Sequence, residues 1–262
     1  MTVSRSRIDL DPPSLTKPMF PLGVLPCERI HLINLGCVRN LVDSEIILGQ
    51  LSSVKAKIVS LEDADTVIVN TCAFIIDAKK ETIDTLAHLI SLKKAKKIKK
   101  IIAVGCFAKR YAAIVKKEFP EIDEVHGTLP LDQKNVLPKE SLTPRWYAYV
   151  KICESCYNHC SFCAIPAIKG RFCSRYEKPI IEEIKALEKR GIKEINLIGQ
   201  DITAYGLDLP GAKSLTALLQ KILVQAPRVP WIRLLYAFPK HVTDDLLDLM
   251  AGEERICRYL DI

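Results

Sequence analysis

Three apolar, largely β-branched runs each stop at a cysteine, and a helix-like segment follows each of them. Arg29-Ile30-His31-Leu32-Ile33-Asn34-Leu35-Gly36 ends at Cys37, residues 65–71 end at Cys72, and residues 100–105 end at Cys106. Such runs are the pattern of a parallel α/β sheet, whose strands are buried on both faces. The carboxyl ends of those strands share one edge, where ligands gather. Three cysteines far apart in sequence can therefore converge. A buried cysteine acting as a small hydrophobe explains any one of them. It explains poorly a cysteine that follows Gly or Thr at the same structural position three times, and the pattern favours a metal site.

A second set is contiguous. Cys156-Tyr157-Asn158-His159-Cys160-Ser161-Phe162-Cys163 lies just past a strand-like segment, residues 146–151. The C-x3-C-x2-C spacing lets three thiols each reach one corner of a small iron–sulfur cluster. A 4Fe–4S cluster normally takes four thiolates, so this loop implies one iron left open for another ligand. Structural zinc closes four ligands into a tetrahedron, and His159, adjacent to Cys160, is badly placed to be the fourth. Nothing marks the chain as secreted, which argues against disulfides. The basic first residues are followed by Ile8-Asp9-Leu10-Asp11-Pro12-Pro13 where an apolar signal core would stand. No apolar run is long enough to span a membrane. Ten cysteines in such a chain indicate metal or redox work in the cytoplasm.

Residues 1–27, with Pro12, Pro13, Pro18, Pro21 and Pro26, read as an irregular extension. Residues 28–128 form a first α/β domain, its helices starting near Asp43-Ser44-Glu45, near Asp77 and near Arg110. Residues 129–144 contain Pro130, Pro138 and Pro144 and read as a linker. In the second domain, residues 145–262, strands are expected at 146–151, 194–198, 231–237 and 259–262, and helices at 180–190, 214–225 and 242–250. Strands alternating with helices in this way imply an open α/β barrel with its site at the strands' carboxyl ends. The chain stops at Tyr259-Leu260-Asp261-Ile262, inside or at the end of a strand. A half-barrel with an exposed parallel edge is a poor place to end, so a truncated domain is expected.

With these residues laid out, the span 30–262 resembles the methylthiotransferase family of radical S-adenosylmethionine enzymes. Leu35-Gly36-Cys37-Val38-Arg39-Asn40-Leu41-Val42-Asp43-Ser44-Glu45 is similar to the family's first cysteine motif. Val69-Asn70-Thr71-Cys72-Ala73-Phe74 and Val104-Gly105-Cys106-Phe107-Ala108-Lys109-Arg110 are similar to the second and third. Ala148-Tyr149-Val150-Lys151-Ile152, the C-x3-C-x2-C loop, and Ala164-Ile165-Pro166 with Gly170 are similar to the start of the radical domain.

The resemblance implies an N-terminal parallel-sheet domain and a partial barrel of radical S-adenosylmethionine type. It implies two 4Fe–4S clusters, one on Cys37, Cys72 and Cys106 and the other on Cys156, Cys160 and Cys163, with S-adenosylmethionine on the second. Phe162 and Ile165 would lie against its adenine, and Gln200 would either face the same site or serve as a capping or loop residue. In the implied chemistry a 5′-deoxyadenosyl radical takes hydrogen from an unactivated carbon, and the other cluster supplies sulfur. Cofactors carry such steps while the protein orients and excludes water, so no catalytic carboxylate or histidine is expected.

Ile198-Gly199-Gln200-Asp201-Ile202-Thr203-Ala204-Tyr205-Gly206 and residues 231–239 resemble the protein-modifying branch. That branch methylthiolates the β-carbon of an aspartate in protein twelve of the small ribosomal subunit. The implied partners are that protein, alone or on the ribosome, and an electron donor such as flavodoxin or ferredoxin, with the enzyme a monomer and no membrane involved. A transfer-RNA adenosine methylthiotransferase and a truncated, inactive iron–sulfur protein are the alternatives.

Several positions depart from the family pattern. Ser155 stands where glycine is usual before the first loop cysteine, and a left-handed backbone there would cost a serine about 1 kcal/mol or more. Cys173 stands where arginine is expected. Cys153 and Cys173 do not fit the signature spacing and read as non-ligating, and Cys27 and Cys257 read as structural or incidental. The family's small C-terminal docking barrel and last barrel strands are not expected within residues 145–262. The net charge of +7 includes Lys93-Lys94-Ala95-Lys96-Lys97-Ile98-Lys99-Lys100, a run read as a solvated face in preference to an RNA-steering patch.

Overall fold

The computed structural model describes residues 28–211 and 213–262. The expected extension over residues 1–27, Cys27 included, lies outside them. The described residues divide into two compact units, residues 28–130 with Pro138–Glu140, and Leu131–Leu137 with Ser141–Ile262.

The first unit runs β1 (Arg29–Asn34), α1 (Val38–Ser53), β2 (Lys57–Ile58), β3 (Thr66–Thr71), α2 (Ile76–Lys94), β4 (Lys100–Gly105), α3 (Cys106–Arg110), α4 (Ala112–Glu118) and β5 (Glu124–Val125). All its strands are parallel, in the order β2-β1-β3-β4-β5. The winding reverses between β1 and β3, and a crevice at such a reversal is where open α/β sheets bind ligands. Successive strand residues face opposite sides. Val67, Val69, Ile101 and Ala103 share one core with Leu86 and Leu89 of α2, while Ile68, Ile102 and Val104 are just as buried on the other side. Both faces being covered is why these runs are continuously apolar.

The helix expected near Asp43 begins instead at Val38, directly after Cys37. Asp43, Ser44 and Glu45 are buried in its interior. They serve tertiary contacts and do not open the helix: Ser44 Oγ donates to Asn34 Oδ1 at 2.8 Å. The helix expected near Arg110 is broken in two there, α3 ending at Arg110 and α4 starting at Ala112. The lysine run is tied to acidic neighbours, Lys93 to Asp123 at 2.6 Å, Lys94 to Glu121 at 2.7 Å, Lys99 to Asp65 at 2.9 Å and Lys100 to Glu124 at 2.6 Å. A paired, solvated face is what that run makes.

The second unit runs β6 (Tyr147–Lys151), β7 (Cys153–Glu154), α5 (Ile165–Lys169), β8 (Cys173–Ser174), α6 (Glu177–Lys189), β9 (Glu194–Ile198), α7 (Leu215–Gln225), β10 (Trp231–Leu234), α8 (Asp244–Gly252) and β11 (Ile256–Leu260). Four parallel strands are ordered β6-β9-β10-β11, the order of the chain, with a helix in each crossover. Winding onward without reversal is the scheme of an α/β barrel, here a partial one. Ile180, Ile184 and Leu187 of α6 and Leu218, Leu219 and Ile222 of α7 pack with Val150, Ile195, Leu197 and Ile232. Each such burial is worth about 1.5–3 kcal/mol.

β10 stops at Leu234, short of the expected residue 237, and Tyr236 just beyond it takes a left-handed φ of 71°, which interrupts the extended backbone. β11 starts at Ile256, earlier than expected, with Ile232 N donating to Arg255 O beside it. The antiparallel pair β7–β8 and the short α5, which bracket the three-cysteine loop, give no periodic signal and were not foreseen. Among the described residues no helix is long and apolar enough to cross a membrane.

Candidate metal centres

In the first unit, Cys37, Cys72 and Cys106 stand just past the carboxyl ends of β1, β3 and β4, three neighbouring strands. Two glycines make the approach possible. Gly36 has φ +87°, and a Cβ there would lie 2.6 Å from Cys72 Cβ and 2.7 Å from its Sγ. Gly105 has φ +95°, and its Cβ would lie 2.4 Å from Asn70 Oδ1. Only glycine tolerates both the conformation and the contact.

A buried amide on the first turn of α1 draws the strand ends together. Asn40 Nδ2 donates to Leu35 O at 2.9 Å and to Thr71 O at 3.1 Å, while Cys106 Sγ lies 3.9 Å from Asn40 Oδ1. The sequence motif around Cys37 does not reveal this role of Asn40, since Thr71 and Cys106 are distant in sequence. Burial alone would raise the Cys37 thiol, but the Arg39 guanidinium and nearby backbone N–H groups outweigh it, and the thiol sits below its ordinary value. Cys72 is pushed up, chiefly by burial.

In the second unit, β6 leads through β7 into the loop of Cys156, Cys160 and Cys163, all half-buried thiols. Both ends of that loop are fastened. Ser155 is fully buried with φ 64°, the left-handed backbone expected where the family uses glycine. Its Oγ donates to Gly170 O at 2.6 Å. Glu154 meets Lys151 at 2.8 Å and Lys169 at 3.1 Å, with side-chain exposures of only 7%, 4% and 1%. Burial opposes the Glu154 charge, but the two ammonium groups win and hold its carboxyl well below the usual range. A buried group of one carboxylate and two lysines beside the loop was not legible in the sequence.

The remaining expected site residues differ in exposure. Phe162 is 90% exposed, Ile165 is buried at the start of α5, and Gln200 is half-buried just past β9. The residue after Gln200 is the better connected: Asp201 bonds the loop through Asn158 Nδ2 at 2.9 Å and bonds His241 Nδ1 at 2.9 Å. Cys153 is buried and its thiol is pushed well up, and burial with Asp208 and Glu154 raises Cys173 to about 11. Both stay protonated thiols at neutral pH.

No disulfide joins any of the nine described cysteines. Among the described residues no three His, Cys, Asp or Glu side chains converge on one metal ion. The structure sets three cysteines just past the ends of β1, β3 and β4 and three more in the loop after β7.

Residues 29–127 match the profile of the Uncharacterized protein family UPF0004. The chain is 40% identical over 261 residues to the Ribosomal protein uS12 methylthiotransferase RimO of Citrifermentans bemidjiense, which covers 90% of this chain and 58% of that protein. It is 43% identical over 260 residues to the protein of the same name from Pelotomaculum thermopropionicum, covering 89% and 58%. Along about nine-tenths of its length the chain is similar to these uS12 methylthiotransferases. It spans 58% of the length of these methylthiotransferases. The radical S-adenosylmethionine methyltransferase TsrM from Kitasatospora setae, solved with cobalamin and a 4Fe–4S cluster bound, has a similar fold, with a TM-score of 0.60 and 14% identity over 90% of this chain and 60% of that one. That likeness is one of fold.

Proposed function

We propose that this protein is a methylthiotransferase that modifies the β-carbon of an aspartate in ribosomal protein uS12. The observation that carries the reading is the pair of separate thiol triads, in a chain about two-fifths identical to curated uS12 methylthiotransferases. Cys37, Cys72 and Cys106 would hold one 4Fe–4S cluster, and Cys156, Cys160 and Cys163 the other, with S-adenosylmethionine beside the second. When bound, these groups supply the electron, the carbon-centred radical and the sulfur that no acidic or basic side chain provides.

The chain's own residues hold and shield. Gly36, Gly105 and Asn40 set the spacing of the first triad. Ser155, Glu154 and Lys169 close the loop of the second, with Phe162, Ile165 and Gln200 available to the nucleoside. The protein substrate, the electron donor and cytoplasmic residence belong to this same reading.

The test is iron and acid-labile sulfide content, with electron paramagnetic resonance, after anaerobic reconstitution. About eight irons per chain, falling to about four in a Cys37/Cys72/Cys106→Ala variant, is expected for two cysteine-held clusters. About one zinc and no iron would overturn the reading. A chain that takes up iron is then incubated with uS12 and with transfer RNA. A mass gain on nucleosides and none on protein would move the substrate to RNA.

A further inference from the structure

A chain of polar groups in the second unit, buried at Asp201 and half-buried at His241 and Asn158, ends on one loop cysteine, and the cluster reading leaves it without a role. Asp201, 1% exposed, sits just past β9. Its Oδ1 accepts from Thr203 N at 3.1 Å, Thr203 Oγ1 at 2.5 Å and Ala204 N at 3.3 Å. Its Oδ2 accepts from Asn158 Nδ2 and from His241 Nδ1, both at 2.9 Å. A carboxylate can only accept, so His241 carries its proton on Nδ1. Thr203 is fixed in turn, its Oγ1 accepting from Phe238 N at 3.1 Å. Five donors leave the Asp201 carboxylate no freedom to rotate.

Asn158 passes that order to the loop. Its backbone N lies 3.4 Å and its Nδ2 3.5 Å from Cys156 Sγ. The side-chain amide has two N–H bonds, one for Asp201 and one for the sulfur. Partners behind a metal's ligands orient those ligands, and hydrogen bonds to cluster sulfurs are among the determinants of reduction potential.

We propose that His241, Asp201 and Asn158 form a positioning relay that aims two N–H donors at Cys156 and so raises the reduction potential of the cluster held by that loop. The proposal rests on the cluster assignment made above. It makes His241, some 40 residues from Asp201 and remote in sequence from the loop, a determinant of how easily the cluster accepts an electron.

The experiment is a redox titration followed by electron paramagnetic resonance. It uses the reconstituted Cys37/Cys72/Cys106→Ala chain, where only the loop's cluster is expected. Asn158→Ala is expected to shift the midpoint to a more negative potential and alter the reduced-state spectrum while keeping about four irons per chain. His241→Phe should shift it the same way by less, because the Asp201 carboxylate loses one fixed donor. His241→Asn, whose amide nitrogen stands where Nδ1 stood, should restore the parent value. A purely structural role would lower iron retention and leave the potential alone.

An unchanged midpoint in Asn158→Ala with iron retained overturns the proposal. A shift in Asn158→Ala but none in His241→Phe overturns the relay beyond Asn158. A parent chain whose loop takes up no iron overturns the cluster assignment itself, a failure recognisable before any variant is made.

Discussion

Ser155 and Gly170 close the three-cysteine loop upon itself, with Ser155 Oγ donating to Gly170 O at 2.6 Å while Ser155 holds φ 64°. Two opposing terms meet at this serine. The left-handed conformation costs roughly 1–2 kcal/mol, and the hydrogen bond returns about 0.5–1.5 kcal/mol. Ser155→Gly removes both and is expected to leave stability within about 1 kcal/mol of the parent. Ser155→Ala keeps the strain and strands a carbonyl, so it should cost about 1–3 kcal/mol. Urea unfolding of the apo chain distinguishes the two.

The buried group of Glu154, Lys151 and Lys169 predicts an order of damage. Lys169→Met leaves a neutral pair, whereas Glu154→Leu leaves two buried ammonium groups facing each other. Breaking a buried pair costs about 3–5 kcal/mol, and Glu154→Leu should be the worse of the two. Equal unfolding midpoints for the two variants would contradict it.

Gly36→Ala should cost the first triad its cluster and spare the second. A Cβ would stand 2.6 Å from Cys72 Cβ and 2.7 Å from its Sγ at φ +87°, so Cys72 would be displaced. Iron is expected to fall from about eight to about four per chain, with the loop's cluster signal unchanged. Iron analysis checks it.

Acid should weaken the tie between α6 and α7. Glu177 receives Lys213 at 3.0 Å and Lys221 at 2.6 Å. Burial raises its carboxyl but the lysines outweigh it, and the folded value is depressed. A depressed value contributes stability that is present above the unfolded value, about 4.3, and lost as pH falls through the folded one. Wild type should therefore exceed Glu177→Gln in stability at pH 7, by no more than about 1 kcal/mol for a pair this near solvent. The gap should narrow below about pH 4, as thermal melts across that range would register.

Much of this protein could be read from the chain alone. Continuous β-branched runs announce strands buried on both faces, since local periodicity reports burial directly, and β3, β4 and β9 lie where those runs are. The cysteine spacing at 156, 160 and 163 is local too. The left-handed backbone at Ser155 followed from family resemblance. What the chain could not state is which strands become neighbours. The order β2-β1-β3-β4-β5 sets Cys37, Cys72 and Cys106 on adjacent strands, and Asn40 then bonds Thr71, 31 residues away. Asp201 likewise joins Asn158, 43 residues back, to His241, 40 residues on. Hydrogen-bonding side chains carry no periodic signature of their distant partners. Their partners are chosen when sheets assemble and apolar faces close, and the buried carboxylates and amides must then find donors and acceptors among whatever tertiary packing brings within reach.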